Sequence, residues 1–489
     1  MKRFNRADTI ENLTKSPLEL LIVGGGIVGA GIARDSAMRG LRVGLVDQYD
    51  FAWGTSSRSS RLLHGGLRYL AQGNVMLVRE SSVEKRIVHN IAPNISDPLP
   101  FIFPTYKCPP WGTWALWKLR IGVKIYDLLC SGKNLGKSSS LNAKELLEYL
   151  PGINPKDLTG AVRYFDGLTN DARLVIDTLR SSAEEGGLLL NYFRLEKSIP
   201  ENKLWKCVLK DQLTGKNYEV TTSSIVNATG PWSERLEYST IKLRLTKGVH
   251  LVIDRNKLPT KDAVVMTEGE RILFVIPWGE RVILGTTDTD YDGVIEDVRT
   301  TSEDIKYILG IVNQSFPNAN ILESDVISTW AGLRPLIADP DGSPSSISRS
   351  HEINNPKPGW WDVAGGKLTT YRLMAKQTVD KIENYLKNKV SKCNTAERLL
   401  VEPGKDDKFT GLVPPQVSEE AVAHYCRNEW AIHLDDIMTR RSSWYYYFQN
   451  ADKIAVKAAK WMGDIFGWDN DKIQEELERY QNSICIDEQ

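Results

Sequence analysis

Three glycines between two apolar runs constrain this chain more than any other feature. LLIV leads into Gly24-x-Gly26-x-x-Gly29, AGIARDSAMRG follows as a helix ended by Gly40, and LRVGLVD closes the unit at Asp47, 18 residues beyond Gly29. Strand, glycine turn, helix and second buried strand make a β-α-β unit, which feeds a parallel sheet. The spacing also has a chemical reason. The first glycine makes the tight turn, the second lets backbone approach a pyrophosphate, and the third lets the helix pack close to the strand. The carboxylate accepts ribose hydroxyls. A dinucleotide site on Gly24, Gly26, Gly29 and Asp47 is therefore expected.

The chain is 489 residues long and 41% hydrophobic, which leads us to expect two or three packed units. Its 62 basic and 62 acidic residues cancel, so wholesale nucleic-acid binding is not expected. The six cysteines contain no C-x-x-C pair, which argues against a metal site or a disulfide scaffold and for a reducing compartment. The stretch Leu20 to Ala33 is too short to span a bilayer. We expect a cytosolic protein, or one that sits on a membrane without crossing it.

Further along, DARLVIDTLRSSAEEGG reads as a helix from about Asp171, and SIVNATG as another buried strand. Between about Thr246 and Asp290 the pattern turns antiparallel, with RILFVIPW and RVILGTT joined by the two-residue loop Gly279-Glu280. A helix is expected from Leu373 to about Lys389, and after Glu402 a charged linker and a helical tail with caps at Ser418 and Asp469. The tail reads either as a cap on the core or as a homodimer contact. The expected fold class is α/β, with a Rossmann-like dinucleotide-binding domain, an antiparallel-sheet substrate domain and a C-terminal helical domain. The boundaries are 1–82, 156–230 and 345–400 for the first, 83–155 and 231–344 for the second, and 401–489 for the third.

Which dinucleotide binds is decided by the small polar residues after Asp47. FAWGTSSRSSRLLHGGLRYL is rich in Ser and Gly, a later strand ends in Ala228-Thr229-Gly230, and Gly365-Gly366 precedes Lys367 and Leu368. Contacts spread this widely fit an extended flavin dinucleotide better than a compact nicotinamide site. Thr55, Ser56, Ser57, Ser60, Arg61, His64, Gly65 and Gly66 join the FAD-binding set.

TSSRSSRLLHGGLRYL, GTTDTDY, AGLRPLI, DVAGGKLTTYR and MTRRSSW, in this order over residues 19 to 445, resemble the FAD-dependent glycerol-3-phosphate dehydrogenases of the D-amino-acid-oxidase-like superfamily. Arg61 departs from the family's usual lysine. No calcium-binding extension of the mitochondrial type is read, which favours the bacterial form. Asp288, Asp290, Asp292 and Gly293 mimic half of an EF-hand, but the last position falls on Arg299, so no metal is expected. The resemblance implies FAD-dependent oxidation of sn-glycerol 3-phosphate to dihydroxyacetone phosphate, with ubiquinone or menaquinone as acceptor. Alternatives are a glycerol-3-phosphate oxidase using O2, or a flavin oxidoreductase acting on an amino acid or a 2-hydroxy acid.

Such a reaction needs a proton acceptor and cations for an anionic substrate. His250 is the candidate base, Arg334 stabilises the developing alkoxide, and Lys367, Arg349 and Arg68 with Tyr69 hold the phosphate. From Pro98 to Lys144 seven basic residues face one acid, interleaved with aromatics. Rings that anchor and cations that are attracted suit an anionic bilayer surface, so we expect peripheral attachment to the cytoplasmic face of the bacterial inner membrane.

Overall fold

A computed structural model describes residues 5–71, 73–107, 115–130, 134–269, 271–338, 351–387, 390–404 and 408–484, with Arg68 and Ala71 as backbone only. The apolar runs flanking the glycine turn form parallel neighbours, Leu18–Val23 and Val43–Val46, with the helix Ile27–Met38 between them. Leu188–Leu190 extends this sheet on one side, and Asn217–Asn227 followed by Trp360–Gly365 on the other, all in parallel. His351–Lys357 closes the edge antiparallel.

LLIV is uniformly apolar because both faces of this sheet are covered. Leu20 and Ile22 pack with Ile32, Leu174 and Met374 from three helices, Ile27–Met38, Asp171–Glu184 and Tyr371–Leu386. Leu21 and Val23 point the other way, onto Trp205 and Cys207 of the hairpin Phe193–Glu201 and Leu204–Asp211. Each such side chain contributes roughly 1.5–3 kcal/mol by leaving water. The helix expected to run to Lys389 stops at Leu386, where Lys387 turns left-handed with φ 57°.

The middle block is a second, mixed sheet of ten strands, antiparallel except where Ala263–Glu268 pairs with Ser96–Tyr106. Trp278 and Arg281 close the expected hairpin across Gly279-Glu280. Along Leu243–Asp254, Val249, Leu251 and Ile253 pack under the helix Ser302–Ser315, so the two-residue period turns His250 and Val252 to the opposite face. Leu158–Thr169, which the sequence boundaries put with the first unit, pairs with Ser96–Tyr106 in this second sheet. Its long strand partner lies some sixty residues upstream, where no local pattern reveals it.

The C-terminal region is helical, with Glu419–Asn428, Ala451–Phe466 and Asn470–Ile484 around a core that includes Tyr425, Trp444, Ala458 and Met462. Ser418 caps the first, accepting from the Ala421 amide, and Asp469 accepts from the Lys472 amide. No helix among the described residues is long and apolar enough to cross a membrane.

Candidate active site

Two cavities meet at the end of the first sheet. The larger, about 560 Å³, is lined by Gly24, Gly26, Asp47, Thr55 and Ser56 on one side, and by Ala228, Thr229, Gly230, Gly365, Gly366, Lys367 and Leu368 on the other. These walls are the loops at the carboxyl ends of four parallel strands, where open α/β sheets bind their ligands. Gly24 and Gly29 have no room for a side chain. A Cβ on Gly29 would lie 1.9 Å from the Gly24 carbonyl oxygen, and one on Gly24, at φ 111°, would lie 2.5 Å from the Ala228 oxygen. Gly29 is thus a packing residue of the turn and lines neither cavity.

Asp47 accepts the Gly25 amide at 2.6 Å and the Tyr49 amide at 2.9 Å. Burial pushes its carboxyl up to about 7 against the pull of those two donors. The Ile27 amide at the helix start donates to Ser56 Oγ at 3.0 Å. Stacked Tyr49 and Trp53, with Trp232 beside them, form an aromatic rim that the sequence reading missed.

The second cavity, about 300 Å³, shares Ile27, Thr55, Ser56, Gly366, Lys367 and Leu368 with the first, and lies between the two sheets. His250, Arg334, Ser60, His64, Gly66 and Tyr69 line it, against an apolar wall of Phe101, Phe103, Tyr164 and Phe274. His250 is 2% exposed, and its Nε2 lies 2.8 Å from Ser60 Oγ. Its ring stacks on Trp330 with centroids 5.1 Å apart. Burial, then the charges of Arg334 and Arg61, press its pKa down to about 3, so the imidazole is neutral near pH 7.

Arg334 donates to Asp288 at 3.1 Å, to Thr286 Oγ1 at 3.0 Å and to the Thr287 carbonyl at 3.2 Å. Asp290, from the same EF-hand-like run, pairs with Arg244. Two strand glycines make room for the charged groups. A Cβ on Gly248 would meet the Arg334 guanidinium at 2.4 Å, and one on Gly285 would meet the His250 ring at 2.5 Å. Glycine inside a strand is a sign of such close approach, and this was the available sequence signal. Lys367 Nζ sits 4.1 Å above the Tyr69 ring and 3.4 Å from Ser81 Oγ.

Several expected residues lie elsewhere. Arg61 lines neither cavity: its buried guanidinium lies 4.3 Å from the Trp278 ring and 3.8 Å from Asp171, and bonds Ser443 Oγ at 3.3 Å. A left-handed backbone at φ 57° turns the chain there, and aromatic partners more than 200 residues away take up the side chain. Ser57 is buried off both walls, and the Gly65 amide is held by the Tyr126 hydroxyl at 2.8 Å. Arg349 falls outside the described residues, and Arg68 is described only as backbone in the helix Leu67–Ala71.

A family model described as FAD dependent oxidoreductase, DAO, matches residues 19–380. The chain belongs to this family. Proteins similar to it include the aerobic glycerol-3-phosphate dehydrogenase of Staphylococcus aureus strain USA300, 37% identical over 469 residues, 91% of this chain and 84% of that one. The structure of the glycerol-3-phosphate dehydrogenase from Bacillus halodurans complexed with FAD superposes with a TM-score of 0.78 at 27% identity, covering 98% and 97% of the two chains. Glycine oxidase from Geobacillus kaustophilus shares the fold, with a TM-score of 0.60 at 19% identity, but covers only 79% of this chain. FAD is thus the cofactor of this DAO chain. The larger cavity fits it: a side-chain-free turn opens onto a helix start, an acid stands at the next strand's end, and the space runs on into the cationic cavity.

Proposed function

We propose that this DAO flavoprotein oxidises sn-glycerol 3-phosphate to dihydroxyacetone phosphate and passes the electrons to a membrane quinone. The observation that carries the reading is the junction of the two cavities at Gly366–Leu368, with His250 and Arg334 on the wall beyond it. The similarity to proteins named glycerol-3-phosphate dehydrogenase supports the choice of substrate. We place the dinucleotide on Gly24, Gly26, Asp47, Thr55, Ser56 and the loops at Ala228–Gly230 and Gly365–Leu368. FAD, when bound, supplies the hydride acceptor for the substrate's C2 hydrogen.

The protein's part is charge, orientation and proton handling. Lys367 and Arg334 hold the anionic substrate, and Arg58 and Arg271 add two more arginines to the lining. One carboxylate needs one arginine fork, so this number of cations favours a phosphate over an amino acid. Arg334 also stands ready for the negative charge that develops on the C2 oxygen, backed by Asp288 and Thr286. His250 takes the hydroxyl proton. Burial, then the charges of Arg334 and Arg61, lower its basicity, and a bound phosphate offsets the part due to Arg334.

The acceptor reading rests on the helix Leu116–Leu129. Leu119, Val123 and Tyr126 are its buried face, while Trp117 (61% exposed), Ile121, Ile125 and Leu128 (74% exposed) form an outward apolar stripe. At about 100° per residue that stripe spans an arc of about 80°, with Lys118 on one side and Arg120 and Lys124 on the other. A helix apolar on its outer face and flanked by cations fits flat against an anionic bilayer, at the cytoplasmic face of the inner membrane. Trp111, Trp114 and Lys133 of the same basic stretch lie outside the described residues.

The test combines membrane and acceptor. Wild-type protein reduced anaerobically should be reoxidised faster by a quinone in anionic vesicles than by oxygen. The Ile121→Glu/Leu128→Glu double variant should bind those vesicles about tenfold more weakly or worse, with unchanged reduction of a soluble dye. Faster reoxidation by oxygen makes the protein an oxidase, and vesicle binding unaffected by the double variant removes this helix from the interface.

A further inference from the structure

The MTRRSSW run has no place in the chemistry above and lies beyond the family-matched residues 19–380. Its first four residues complete a buried π-helix, Asp436–Arg441. Such helices are rare and recur at functional sites. Arg440 and Arg441 line neither of the two cavities described; both close on Asp50, which is fully buried. Arg441 grips that carboxylate with both prongs, at 2.6 and 2.7 Å, and Arg440 Nε donates to it at 2.6 Å. Arg440 is itself fixed by Asp435 at 2.7 Å and Asp436 at 2.6 Å, and Arg441 by the Glu429 carbonyl at 2.9 Å.

Asp50 belongs to the loop that braces the glycine turn. Three residues before it, Asp47 accepts the Gly25 amide, and two residues after it the Ala52 amide donates to the Gly25 carbonyl at 3.0 Å. Phe51 fills the space where a Gly25 Cβ would stand, and its far contact is an edge-on Trp430 at 5.4 Å. Asn191 ties the same elements together, donating to Asp50 and to the Trp430 carbonyl. Gly25 is therefore held on both its amide and its carbonyl by a loop whose other side is clamped by the C-terminal region.

We propose that Arg440 and Arg441 are positioning residues for FAD, acting through Asp50 to hold the Asp47–Ala52 loop against the glycine turn. The inference rests on the placement of the dinucleotide argued above. It gives the C-terminal region a task in cofactor retention, in a chain whose similarity to the glycine oxidase fold leaves a fifth of its length uncovered. A buried guanidinium fork replaced by a point charge loses its second prong, which sets the size of the effect.

The test follows FAD release from the holoenzyme, by the recovery of flavin fluorescence on dilution, beside the unfolding temperature. Arg441→Lys and Asp50→Asn should release FAD about tenfold faster or more. Trp430→Phe, with every charge kept, should shift release in the same direction by a smaller factor. Met462→Ala is the control, since Met462 is buried in the same region but sits on the helix Ala451–Phe466, which supplies none of the bonds described above. It should lower the unfolding temperature without speeding release. Wild-type release from Arg441→Lys overturns the proposal, as does equally fast release from Met462→Ala. Gly29→Ala separates the two claims: if it keeps FAD, the placement of the dinucleotide fails, and if it loses FAD while Arg441→Lys behaves as wild type, only the positioning role fails.

Discussion

Replacing Arg334 with alanine is expected to lower the rate of flavin reduction by glycerol 3-phosphate by about a hundredfold to a thousandfold, the range for loss of a donor aimed at developing negative charge. The guanidinium is pre-placed: it occupies the space left by the missing Cβ of Gly248 and is fixed by Thr286, Thr287 and Asp288. Its removal does more than delete a charge. Asp288 loses its partner and stays on the cavity wall as an anion facing an anionic substrate. Arg334→Lys keeps the charge but not the fork, and should recover only part of the rate. Stopped-flow reduction of the bound flavin measures this directly, and a variant reduced at the wild-type rate removes Arg334 from the mechanism.

Gly29→Ala is expected to yield protein that folds but retains little flavin, with FAD affinity down about a hundredfold or more. The added methyl would fall 1.9 Å from the Gly24 carbonyl oxygen. Helix and strand must then separate, and the amide-lined end of the turn moves with them. Gly24 has no slack on its other side, where the Ala228 oxygen lies. Flavin content of the purified variant, read by absorbance against protein, checks the result. A fully loaded Gly29→Ala protein would contradict the role of this turn.

Much of this was legible in the sequence where the signal is local. The glycine turn and Asp47 follow from spacing, and the strand alternation that faces His250 inward follows from a two-residue period. The family motifs drew attention to Arg334 and Lys367, and the structure brings both onto one cavity with His250. What stayed hidden depends on pairing across long stretches of chain. Arg61 was expected at the cofactor because it sits in the Ser- and Gly-rich run after Asp47; its own partners, Trp278, Trp330 and Tyr446, are more than 200 residues away. Asp50 and Arg441 are 391 residues apart, so no window of sequence connects them. The basic aromatic stretch was visible, but not that its helix buries Leu119 and Tyr126 on the face opposite Trp117 and Leu128.

On the proposed function, the cationic cavity takes a phosphorylated alcohol and delivers its hydrogen to the flavin. Anaerobic titration of the purified holoenzyme tests it in one cuvette. Glycerol 3-phosphate should bleach the oxidised flavin spectrum completely, while glycine, other amino acids and 2-hydroxy acids leave it unchanged. A spectrum untouched by glycerol 3-phosphate and bleached by an amino acid would contradict the account.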